Sequence, residues 1–113
     1  MTTTGFLASA AIAFAMALAA AAGDMEELKA YGRHLAGECT SCHRIDGAPS
    51  AIPSILGKPQ QEFIALLAAY REGRKTNPLM VSVAKSLDEE QMSALAAYFG
   101  SLPPPDNDPG LKQ

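Results

Sequence analysis

Residues 39–43 read Cys39-Thr40-Ser41-Cys42-His43, and their reading decides how the rest of the chain is arranged. The chain holds two cysteines and these are both of them. Joined as a disulfide they would close so short a loop that the unfolded chain would hardly be constrained, so the pair is chemical rather than architectural. C-x-x-C alone fits a dithiol redox pair, half of a zinc site or a haem attachment. A dithiol site of the thioredoxin kind needs a strand-helix framework, and no strand pattern is present. A zinc site needs two more ligands, and His34 and His43 are the histidines available. Histidine directly after the second cysteine favours the third reading, in which two thiols add to the vinyl groups of one haem c and the adjacent imidazole binds the iron.

An iron held by His43 takes a sixth ligand, and in c-type sites methionine commonly supplies it; its soft thioether favours the reduced metal and raises the potential. The candidates are Met25, Met80 and Met92, with His34 as an outsider. Met25 and Met92 fall on apolar helical stripes, where methionine usually fills core space. Met80 follows Asn77-Pro78 in what reads as a loop, free to present its side chain, and is the expected ligand. His34 reads as a solvated surface histidine.

Outward from the motif the periodicity is helical throughout. Met25, Leu28, Tyr31 or Gly32, and Leu35 recur at helical spacing behind Asp24, Glu26 and Glu27, predicting a helix over 24–38 that delivers the cysteines at its end. From Arg44 to Lys58 the composition turns to Gly, Pro and Ser, predicting a long loop. A loop of that length in a small domain usually wraps around something. Pro59 can open a second helix, in which Phe63, Leu66, Leu67 and Tyr70 form one face before Gly73 ends it. A short helical stretch is expected over 81–85. The last helix opens with Asp88 and Gln91 at capping-box spacing and turns Met92, Leu95, Tyr98 and Phe99 inward before Gly100. The expected fold class is all-α, three to four helices wrapped around one covalently bound haem.

At its start the chain carries an uncharged run from Phe6 to Ala22 that ends in small residues, as a secretory signal does before its cleavage site. Residues 1–22 are therefore expected to be a signal peptide cut after Ala22, 23–102 the folded domain, and 103–113 a mobile Pro-rich tail. A retained run would instead be a short membrane anchor. The location expected is the periplasm, with attachment to the inner membrane, facing the periplasm, as the alternative. About 90 residues of folded chain is a size at which a disulfide, metal or cofactor often supplements the core. A formal charge of −3 argues against a nucleic-acid partner, which calls for a basic patch.

Three stretches now carry a resemblance: CTSCHRIDG at 39–47, AIPSILGKP at 51–59, and AAYREGRKTNPLM at 68–80 continuing into SLDEEQMSALAAYF. Over about Gly32 to Leu102 the chain resembles the class I c-type cytochromes. Within them it is similar to the single-haem domains of diheme periplasmic cytochromes and of the cytochrome subunit of flavocytochrome c sulfide dehydrogenase. The resemblance implies the small cytochrome c fold, with Cys39, Cys42, His43, Pro53 and Met80 as the haem-binding residues. It places the carbonyl of Pro53 on the imidazole N–H of His43, where it would fix the ring and raise its basicity. It also packs the first helix across the last, with Gly32 allowing close approach near Tyr98 or Phe99. Arg71, Arg74 and Lys75 could offer a positive rim to a docking partner or a propionate, or simply suit a helix end.

The function expected is one-electron transfer between redox partner proteins, with no catalytic residue in this chain. The rival reading makes it the haem subunit of a dehydrogenase complex, fed by a flavoprotein subunit. A haem sensor, which would need Met80 to leave the iron, and a dithiol redox protein are the remaining alternatives.

Overall fold

The computed structural model describes the backbone of residues 5–105. Five helices follow one another: α1 (Gly5–Leu35), α2 (Gly37–Thr40), α3 (Gln60–Arg71), α4 (Pro78–Lys85) and α5 (Glu89–Ser101). The described residues contain no strand, and the fold is the all-helical one expected, with more helices than the three to four foreseen.

The first helix does not begin at Asp24 as the acidic residues suggested. It runs unbroken through the alanine-rich stretch and past Gly23, because alanine has the highest intrinsic helix propensity and one glycine costs only about 1 kcal/mol. It also ends sooner, at Leu35; Cys39 sits on the separate turn α2 and Cys42 just beyond it. Residues 11–27 are exposed, and packing begins at Leu28.

The core lies along α5, which packs against α1 and against α3. Phe99, Met92 and Leu95 of α5 are its largest fully buried side chains, and Ala36, Leu56, Phe63 and Leu67 close around them. Phe63 and Phe99 stack with ring centroids 5.8 Å apart, an arrangement that adds to the apolar area they bury. The α1–α5 crossing depends on Gly32. A Cβ there would overlap the carbonyl oxygen of Ala94 and lie 2.8 Å from the Cβ of Tyr98, so the backbones approach as only glycine permits. The partners are thus Ala94 and Tyr98, the latter one of the two residues expected there.

Caps set the helix ends. Asp88 and Gln91 form the reciprocal capping box expected of α5, which satisfies two backbone donors at its start. Gly73, at φ +77°, turns the chain out of α3. Arg71 of α3 reaches Glu89 of α5 at 2.6 Å, tying these two helices at the surface.

At the other end the chain leaves α5 and meets the loop of residues 44–57. Pro104 lies against Gly57, where a Cβ would come within 2.8 Å of its ring and 2.8 Å of its nitrogen, and Pro105 lies against Gly47. Proline has little conformational entropy to lose on packing, so three in a row can settle on a glycine surface with no helix to hold them. The later residues of the expected tail, 106–113, lie outside the described residues.

Candidate haem-binding site

The two cysteines and His43 occupy one tightened turn. The amides of Cys42 and His43 both donate to the carbonyl of Cys39, at 3.2 and 2.8 Å, while Cys39 and Thr40 donate back to Ala36. Spacing of two residues on such a turn sets both sulfurs and the imidazole on a single short piece of backbone. Neither thiol is in a disulfide; Cys39 is partly buried against the core and Cys42 is exposed. Burial pushes the Cys39 thiol up, with the charge of Glu38 adding to the effect, as desolvation disfavours a thiolate.

His43 is held from the far side of the following loop. Its Nδ1 lies 2.7 Å from the carbonyl oxygen of Pro53. A carbonyl only accepts, so Nδ1 carries the proton and Nε2 is left with its lone pair for a metal. This is the contact the resemblance implied.

The loop that brings Pro53 there, 44–57, has no helix or strand, yet its backbone is tied at regular intervals. Asp46 Oδ1 accepts from the amide of Ala48 at 3.0 Å, Ser50 Oγ from Ile52 at 3.2 Å, and Ser54 Oγ from Leu56 at 3.2 Å. Each is a side chain capturing an amide two residues on, the local bond that Asp and Ser favour over helix. Arg44 clasps Asp46 through both Nε and Nη2, and this clasp holds the Asp46 carboxyl far below the ordinary carboxylate range. The loop closes onto α5 through Gly57 N–H, which donates to the carbonyl of Phe99 at 3.0 Å. These ties were present in the sequence as D-x-A, S-x-I and S-x-L, but such pairs are too common to be read there.

Met80 is not in a loop. It is the third residue of α4, partly buried against the same core cluster as Cys39. Asn77 caps this helix, its Oδ1 accepting from the amides of Leu79 and Met80 at 3.1 Å each, and Pro78 fills the first helical position. Asn followed by Pro is a helix-start signal, and the loop reading missed it. The other candidates stand elsewhere. Met92 is fully buried core, His34 is exposed on the α1 surface, and Met25 Sδ lies 4.0 Å from Gln60 Nε2.

The basic cluster is largely spent on neighbours. Arg71 pairs with Glu89, Arg74 with Glu72 at 2.8 Å, and Lys75 stands over the Tyr70 ring at 5.7 Å from its centroid. A helix end held by local pairs describes it better than a positive rim.

These residues fit a covalently held haem. Two thiols share a turn with an imidazole whose metal-binding nitrogen is free, and a methionine sulfur packs on the same apolar cluster. Among the described residues no group of three or more His, Cys, Asp or Glu side chains is placed to hold a metal ion by itself.

Comparison with known proteins agrees. The cytochrome c family model matches residues 29–103, and the chain belongs to the cytochrome c family. It is 36% identical over 72 residues to the cytochrome subunit of sulfide dehydrogenase of Chlorobaculum tepidum, covering 63% of this chain and 66% of that one. It is 39% identical over 68 residues to cytochrome c-553 of Desulfomicrobium norvegicum, covering 57% of this chain and 85% of the other. Against a thiosulfate dehydrogenase electron acceptor of Thiomonas intermedia the identity is 35% over 72 residues, and the match spans 33% of that protein. Membership makes the chain a haem c electron-transfer protein that works with redox partner proteins.

Proposed function

We propose that the chain is a periplasmic one-electron carrier in which Cys39 and Cys42 attach the haem and His43 and Met80 are its two axial ligands. The observation that carries the ligand assignment is the 2.7 Å contact from His43 Nδ1 to the Pro53 carbonyl. It fixes the tautomer and ring orientation that metal ligation through Nε2 requires. Bound here, haem c supplies an iron that alternates between Fe(III) and Fe(II) with no substrate bond made or broken. The chain's own part is to hold both ligands in place: the Pro53 carbonyl strengthens His43 as a donor, and the Asn77 cap fixes the start of the helix from which Met80 projects. With both positions filled, no coordination site is open to a substrate.

The absorption spectrum of protein matured with c-type haem, oxidised and reduced, tests this. A low-spin spectrum and a haem that resists acid-acetone extraction are expected. Extractable haem would overturn the attachment, and a high-spin oxidised form would overturn the axial pair.

A second reading is favoured by two of the relatives, one named a subunit of sulfide dehydrogenase and one an electron acceptor of thiosulfate dehydrogenase. In it this chain takes electrons from the catalytic subunit of such an enzyme, a flavoprotein in the sulfide case. Co-purification with a catalytic subunit supports it, whereas a free carrier elutes alone.

The location rests on the Phe6–Ala22 run as a cleaved leader. The exposure of residues 11–22 supports it, since their removal uncovers no part of the core. The mass of exported protein decides: cleavage after Ala22 is expected, and a full-length mass in the membrane fraction would make the run an anchor.

A further inference from the structure

Pro104 and Pro105, after α5, sit on the loop that supports His43, and nothing in the electron-carrier reading uses them. Pro105 touches Gly47 at the loop's start, with a Cβ built there 3.7 Å from its Cα, and Pro104 presses on Gly57 at the loop's end. Between these two points lies Pro53, whose carbonyl meets His43. Gly57 is at φ +67°, a conformation side chains other than glycine rarely adopt, and its missing side chain is the space Pro104 fills. The same end of the loop is tied to α5 by Gly57 N–H on the Phe99 carbonyl, and the Lys58 carbonyl approaches Gly100 closely, 3.0 Å from where a Cβ would be. Near the far end Leu56 is buried in the core with Ile55 packed against it, whereas the residues before Pro53 are held by local bonds to Asp46 and Ser50, so the placement of Pro53 depends on where the two ends of the loop are fixed.

We infer that Pro104 and Pro105 are positioning residues for the axial histidine: they clamp both ends of the 47–57 loop and so hold the Pro53 carbonyl against His43 Nδ1. This rests on His43 being a haem ligand. An N–H donated to a carbonyl makes the imidazole a stronger donor, which favours Fe(III) and lowers the potential. Releasing the clamp therefore weakens that bond and raises the potential. Mere loosening that lets water reach the haem acts with the opposite sign, because water stabilises the more charged oxidised site.

The test uses the haem-loaded full chain, a chain ending at Pro105 and a chain ending at Leu102. The chain ending at Pro105 keeps the clamp and is expected to match the full chain. In the chain ending at Leu102 the midpoint potential rises, and solvent exchange of the His43 Nδ1 proton, followed by NMR, accelerates at least tenfold. An unchanged potential, a lower one, or a shift without faster exchange overturns the clamp. If the shortened chain does not mature, the full-length double variant Pro104→Gly, Pro105→Gly is read against the same criteria. A full chain that is not low-spin fails the ligand assignment and the clamp with it, whereas a low-spin full chain with an indifferent truncation fails the clamp alone.

Discussion

Asn77 does for Met80 what Pro53 does for His43, at one remove. By accepting from the amides of Leu79 and Met80 it starts the helix on which the sulfur is carried. Asn77→Ala should cost about 1 kcal/mol of stability, as loss of a cap does, read as a lower midpoint in urea unfolding of the haem-loaded protein. Met80→Ala should keep the haem covalently attached, open the iron to added imidazole or carbon monoxide, and lower the potential, because the thioether is what favours the reduced metal. The Arg44–Asp46 clasp makes a prediction in pH. Its carboxyl is depressed in the folded state, so the stability it lends is present above the unfolded value of about 3.9 and is lost as pH falls below it. The difference in stability between the parent and Asp46→Asn should be constant from pH 7 to 5 and shrink in stronger acid, which acid titration of unfolding followed by circular dichroism would measure. At this scale the sequence was uneven. Cys39, Cys42 and His43 were legible because five contiguous residues carry the whole motif. The Pro53 contact came only through family resemblance, since a backbone carbonyl leaves no mark in a sequence. Met80, expected in a loop as the sixth ligand, stands instead in the first turn of α4, because Asn77-Pro78 caps a helix there.

Among the elements, α3 and α5 follow directly from the 3.6-residue period and their punctuation: Gly73 after the one, Asp88 and Gln91 before the other. Their boundaries were readable because each is set by a local interaction. The ends of α1 were not, because acidic residues at 24–27 imitate a helix start while nothing in Phe6–Ala22 stops one. The α1–α5 crossing yields the sharpest stability prediction. Gly32→Ala puts a methyl into the Ala94 carbonyl, and the backbone of either helix must move. Overpacking of this kind costs about 1–3 kcal/mol, and the thermal midpoint of the haem-loaded variant should fall accordingly while its spectrum stays low-spin. Parent-like stability would mean that the two helices can part without penalty.

For the molecule as a whole, the protein core is modest: Phe63, Leu67, Met92, Leu95 and Phe99 with a few alanines and Leu56, and no cross-link between distant segments. Cys39→Ser with Cys42→Ser, which removes both thioethers, should leave a chain with little cooperative unfolding and reduced far-ultraviolet helicity, since domains of this size commonly need a cofactor or disulfide to fold. That expectation comes from the length of the chain; length and composition do not say which segments meet, because Gly32 with Ala94 and Gly57 with Phe99 are contacts between stretches far apart in the chain. Those distances also set an order of events. As the polypeptide grows from its first residue, the C-x-x-C-H turn is made long before α5 and the prolines that follow it. Ring closures spanning so much chain come late and carry their entropy cost before any reward. Until α5 and Pro104 are made, the loop has nothing to lie on and Cys39 stands as open as Cys42; the folded chain draws Cys39 partly against the core and leaves Cys42 at the surface.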